Sequence, residues 1–178
     1  MIKRYIPLLV VLCVAVSSCA MYQSFIKSSF PYTTTLVIPA SSQVGNVYSA
    51  VSLATSFDQN FKRNGDNGDK IVRVRVTSAK LMSVEPTDYN IGNLTSVKIY
   101  LSKPESNDEI LVASRADISD SAGNNIILDI DNSQLLDELV REPGIRVRME
   151  YKLRQTYKRD VSLHIIVGLN AYPSPAGK

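Results

Sequence analysis

From Thr33 onward the chain is written mostly in alternation. Val72, Val74 and Val76 share one face of a strand and Arg73 and Arg75 the other. Val97, Ile99 and Leu101 alternate with Lys98 and Tyr100, and Ile145, Val147, Met149, Tyr151 and Leu153 with Arg146, Arg148, Glu150, Lys152 and Arg154. Val161, Leu163, Ile165, Val167 and Leu169 repeat the pattern against Ser162, His164 and Asn170. Period-two patterning puts one face in a core and one in water, the habit of antiparallel sheets. Thr33–Ile38, Val47–Leu53, Glu109–Arg115 and Ile126–Ile130 add strand-like segments between turn residues. The last two strands flank Tyr157-Lys158-Arg159-Asp160 and are expected to form a long hairpin.

Two short stretches break this period. Ser56-Phe57-Asp58-Gln59 has a capping-box pattern, with Phe57 and Phe61 one turn apart and Asn64-Gly65 as a stop. A second helix is expected from Asn132 or Ser133, with Leu135, Leu136, Leu139 and Val140 on its apolar side and Pro143-Gly144 at its end. The expected fold is mainly β: an antiparallel sandwich, immunoglobulin-like or Greek-key in type, with two short helices closing its ends. It spans residues 32–172, and Pro173-Ser174-Pro175-Ala176-Gly177-Lys178 reads as a loose tail because proline cannot donate to a ladder.

The first two dozen residues differ in kind. Lys3 and Arg4 precede an apolar run from Ile6 to Val16, then Ser17, Ser18 and Cys19. About twenty residues are needed to cross a hydrocarbon core as a helix, so this run is too short. A charged start, a short apolar run and small residues make the layout of an export signal. Val16-Ser17-Ser18-Cys19 resembles the lipobox of bacterial lipoproteins. That resemblance implies cleavage of residues 1–18, acylation of Cys19, and a tether over 19–31. Two or three acyl chains on one residue, at about 0.8 kcal/mol per buried CH₂, make detachment negligible. No Asp follows Cys19, which by the same resemblance implies the outer membrane, on its periplasmic face. Cys13 leaves with the signal, so the mature chain keeps one cysteine and no internal disulfide.

Composition removes several functions. Without Lys3 and Arg4 the chain has 18 basic and 17 acidic residues, a net charge of +1. That balance does not suggest nucleic acid, which asks for a concentrated basic surface. His164 is the sole histidine and falls on a polar strand face, so neither a histidine-pair metal site nor a Cys–His nucleophile can be built within one chain. No G-x-S-x-G or supported S-x-x-K appears. The expectation is a protein that is not an enzyme, with no catalytic residues, metal ligands or cofactor. Asn64-Gly65-Asp66-Asn67-Gly68-Asp69 offers oxygen ligands but lacks EF-hand spacing, and it reads first as a turn. Asp117–Gly123 reads the same way, although Asp120-Ser121-Ala122 resembles a short O-glycosylation motif of some gut bacteria.

One surface feature remains. Arg146, Arg148, Lys152 and Arg154, with Arg73 and Arg75, make a candidate partner face for an envelope protein or an anionic glycan. The plainer reading is a solvated or charge-guarded sheet face. The chain is thus expected to be held at a membrane by its lipid and to act in binding or as an accessory subunit of an envelope complex. A glycan or lipid carrier is the alternative, and an envelope hydrolase ranks last.

Overall fold

Among the described residues the alternation is resolved into nine antiparallel strands: β1 (Ser28–Ile38), β2 (Val47–Ser56), β3 (Ile71–Glu85), β4 (Leu94–Ser102), β5 (Ile110–Arg115), β6 (Asn125–Ile127), β7 (Asp129–Ile130), β8 (Ile145–Leu153) and β9 (Val161–Pro173). The structure, a computed structural model, describes residues 28–56, 71–142 and 144–173. The signal segment, Cys19, the Asx-Gly loop 64–69, the helix read after Ser56 and the tail beyond Pro173 lie outside the described residues.

The strands form two sheets, in the order β6-β3-β9-β1 and β2-β8-β4-β5-β7. The sheets touch at one corner, where Tyr32 pairs with Ser56 and Thr33 with Thr55. Their inner faces build a single core. Leu36, Val74, Leu81, Leu163 and Ile165 come from the first sheet, and Val97, Ile99, Val112, Val147, Met149 and Tyr151 from the second. Full burial of one such aliphatic side chain contributes about 1.5–3 kcal/mol, so this core is what the period-two pattern specifies.

Three expectations change. The segment 154–160 does not close a hairpin. β8 pairs with β2 and β4, while β9 pairs with β1 and β3, so this connection carries the chain from one sheet to the other. Both strands are central and bury one face, and the connection is long enough to cross the roughly 10 Å between packed sheets. β1 lies beside β9 over its whole length and meets β2 only at Thr55 and Ser56. β1 begins at Ser28, so Ser28–Pro31 are strand rather than tether. Finally, the second helix is no more than a 3₁₀ turn at Leu139–Arg141. Its sequence has apolar spacing, but the Leu136 N–H donates to Val74 O at 3.0 Å, so the backbone is tied to β3 instead of coiling. A second 3₁₀ turn, Ile91–Asn93, is capped by the Asn90 side chain.

The stretch from Asn124 to Asp137 seals one flank of both sheets. Ser83 N–H donates to Asn124 O, Leu128 N–H to Ala79 O and Asp131 N–H to Val112 O. β6 and β7 add short ladders to β3 and β5. The opposite flank, formed by β1 and β2, has no such cover among the described residues.

Candidate functional site

β8 runs through the second sheet with its even-numbered side chains on the outer face. The expected alternation holds: Val147, Met149 and Tyr151 are buried, while Lys152 is exposed and Arg146, Arg148 and Glu150 are half-buried. The arginines are not free cations. Arg148 Nη2 lies 2.6 Å from Glu109 Oε2, and its Nε donates to both Glu109 oxygens at 2.8 Å. Its Nη1 reaches Glu150 at 3.4 Å and Ser49 Oγ at 3.2 Å, and the guanidinium sits 4.1 Å above the Tyr100 ring. Arg146 shares Glu109 at 3.8 Å, and Lys98 pairs with Glu150 at 3.6 Å. The Arg148 hydrogen bond holds the Glu109 carboxyl below the usual carboxylate range, against partial desolvation, and Arg146 adds to the pull. Charge-assisted, fork-shaped pairing of this kind fixes geometry, so the cluster reads as a brace across β4, β5 and β8.

The other candidates scatter. Arg154 turns inward: Nη1 donates to Gly92 O and Nη2 to Ile118 O, both at 2.6 Å, and its N–H donates to Asn93 O at 2.7 Å. It clamps two loops at the end of the domain where β1 finishes. Arg73 and Arg75 belong to the first sheet. Arg73 has φ 57°, at a bulge where the Asp137 carboxylate accepts the N–H groups of Arg73 (3.0 Å) and Val74 (2.6 Å). Arg75 Nη1 donates to Asn132 O. The structure therefore keeps Arg146, Arg148 and Lys152 on one face and separates Arg73, Arg75 and Arg154 from them. His164 is half-buried in β9, with Nδ1 3.3 Å from Thr35 Oγ1. No cluster of three metal-ligating acids, histidines or cysteines occurs among the described residues.

Two features escaped the sequence reading. One is a groove of about 750 Å³ between the β4–β5 loop and residues 134–139, lined by Lys103, Asp108, Glu109, Leu135, Asp137 and Glu138 among others. The other is the β1–β2 corner. From Ser28 to Ser56 there is no charged residue, in a chain that is 21% charged. Val37, Val44, Val47, Val51 and Leu53 nevertheless stand exposed there. A windowed charge count would have found it. At the far end, the Tyr89 hydroxyl is buried without a hydrogen-bond partner among the described residues. Burial pushes its phenol up to about 12 despite a pull from Asn93.

No protein-family profile matches the chain, and no curated protein matches it. Among solved structures it is similar to "nora virus structure" at 11% identity and TM-score 0.34, over 86% of this chain and 63% of that one. It is also similar to a Desmodium yellow mottle tymovirus chain at 9% identity and TM-score 0.30, over 86% and 92% of the two chains. Likeness at these scores says nothing about what this chain does.

Proposed function

We propose that this chain is a lipid-anchored envelope protein of the outer membrane, facing the periplasm, whose domain is a jelly-roll sandwich that works by binding rather than by chemistry. The observation that carries the reading is the run from Lys3 through Ile6–Val16 to Val16-Ser17-Ser18-Cys19. The jelly-roll reading rests on the strand orders β6-β3-β9-β1 and β2-β8-β4-β5, in which the chain winds between the sheets. The binding reading is supported by what the polar groups do: Arg148, Glu109, Arg154, Asp137 and Asn90 are each committed to holding strands or loops. A catalytic group needs a partner within reach of substrate, and these groups are occupied by the framework.

Ser28, the first residue of β1, pairs with Ala171, and we take the tether to join the domain there. In this reading that end of the domain faces the lipid, and the Tyr89–Arg154 end projects from it. Cys19→Ser is expected to give an uncleaved precursor that takes up no labelled fatty acid; normal labelling of that variant overturns the anchor. A second reading, a binder of a small polar ligand, has the groove beside Lys103 and Asp137 in its favour.

A further inference from the structure

The two sheet edges on the flank away from the 124–137 segment differ from the other edges among the described residues. Natural sheets guard exposed edges with charge, proline, bulges or cover, because unpaired peptide groups recruit other strands. β3 and β5 are covered, as described above. β2 has a run of residues, Val47-Tyr48-Ser49-Ala50-Val51-Ser52-Leu53, with no charge, proline or glycine. Its pairing with β8 shows no bulge over Val47–Ala54.

The direction of the free peptide groups follows from two contacts. Lys152 O accepts from Thr95 Oγ1, so the even residues of β8 face β4 and the odd ones face β2. The β8 partners 145, 147, 149 and 151 stand opposite Ala54, Ser52, Ala50 and Tyr48. The odd residues of β2 therefore point their N–H and C=O groups away from β8. Leu53 O confirms this by accepting from Thr34 Oγ1 at 2.9 Å on the β1 side. The ladder to β1 reaches only Thr55 and Ser56. Among the described residues nothing pairs with the peptide groups of Val47, Ser49 and Val51 on that side, so they form an open edge. On the same residues, the Val47, Val51 and Leu53 side chains are 51–62% exposed on the outer face.

We infer that the β2 edge is a docking site for an extended strand of another protein, apolar at alternate positions and carrying acidic residues. Main-chain hydrogen bonds to Val47, Ser49 and Val51 would hold it, and its apolar side chains would cover Val47, Val51 and Leu53. This is the strand-addition mode of peptide recognition. The acidic character follows from the neighbouring row on β8 and β4. There, among the described residues, Arg146, Arg148 and Lys98 share two carboxylates, Glu109 and Glu150, and Lys152 stands exposed beside them.

A second copy is disfavoured by the anchor, so the choice of partner rests on the lipoprotein reading. Two β2 strands pair antiparallel about an axis perpendicular to them, which sends the two tethered ends in opposite directions. β9 has 13 residues, so the domain is about 40 Å long at ~3.3 Å per residue. Residues 20–27 reach at most about 28 Å at ~3.5 Å each. With the strands standing away from the membrane, as in the reading above, two copies cannot both anchor and pair in this way.

The test uses the full acylated chain in detergent. The probe is a synthetic eight-residue peptide that alternates valine with glutamate and threonine, compared with the same peptide carrying lysine for glutamate. Binding is read by fluorescence anisotropy and by amide protection. The acidic peptide should bind at least tenfold tighter than the lysine peptide and should protect the amides of Val47, Ser49 and Val51. Val51→Pro removes a donor at a free edge position, where proline is tolerated. Val51→Glu adds a guard at an exposed site and keeps the test valid should the proline variant fold poorly. Each should weaken acidic-peptide binding at least tenfold, whereas Val84→Glu on the exposed face of β3 should not. No binding of the acidic peptide, equal binding of the two peptides, or undiminished binding by Val51→Glu overturns the proposal. So does a dimer in sedimentation whose β2 amides are already protected. Fatty-acid labelling at Cys19 reports separately on the anchor.

Discussion

Arg148 shows how far a single residue can be read from sequence. Its place on the wet face of β8 was legible from alternation. Its partner was not, because Glu109 lies 39 positions away and no local pattern marks it. With that partner in place, a cation offered for a ligand becomes half of a brace. The pairing has a pH signature. Glu109 is held below its ordinary range by the Arg148 hydrogen bond. A carboxyl with a depressed folded pKa contributes stability above its unfolded value, about 4.3, and loses it as pH falls through the lower folded value. Glu109→Gln should therefore be less stable than the wild type at pH 7, and its stability should fall less steeply below about pH 4.3. Urea unfolding from pH 7 to pH 3 measures both. Parallel acid limbs for the two proteins would mean that the pair is loosely held and screened, as surface pairs commonly are.

At the scale of the element, faces were legible and neighbours were not. The alternation in β8 and β9 fixed which residues are buried, but both strands satisfy it whether they pair with each other or lie in opposite sheets. The 132–140 stretch fails for a different reason. Leu136 and Leu139 are buried as helical spacing asks, yet Leu135 is exposed and the Leu136 N–H is bonded to β3. Here the unpaired groups of a sheet edge outcompete one turn of helix, whose nucleation is unfavourable in so short a segment. Asp137 is the fastening. Its carboxylate holds two N–H groups at a bulge where Arg73 adopts positive φ. That conformation costs a non-glycine residue roughly 1–2 kcal/mol. Asp137→Ala leaves the Val74 N–H without its acceptor and should cost about 1–3 kcal/mol in urea unfolding. Asp137→Asn, which retains one acceptor oxygen, should cost less. A loss under about 0.5 kcal/mol for the alanine variant would place it with ordinary surface changes and take Asp137 out of the edge seal.

For the whole molecule, the decisive pairing joins the two ends of the domain. β1 pairs with β9 from Ser28↔Ala171 to Ile38↔Val161, and β9 also carries the ladder to β3. Nothing in a local window announces this, and alternation alone points as readily to a hairpin of β9 with β8. It also makes the first sheet dependent on the last strand. Without β9, β1 and β3 lose their common neighbour, and the core loses Val161, Leu163, Ile165, Val167 and Leu169 together. At about 1.5–3 kcal/mol for each buried aliphatic side chain, the loss is as large as the roughly 5–15 kcal/mol by which whole domains are stable. A chain ending at Asp160 should therefore show no cooperative thermal transition and should expose apolar surface to a hydrophobic dye. A chain ending at Pro173 should melt as the full chain does, since no described strand extends beyond that residue. Because β1 must wait for β9, refolding of the full domain should be slow, in the millisecond-to-second range of topologies dominated by distant pairings. A cooperative melt from the chain ending at Asp160 would mean that β1 and β3 hold together without β9, and the two-sheet order with β9 at the centre of the first sheet could not stand.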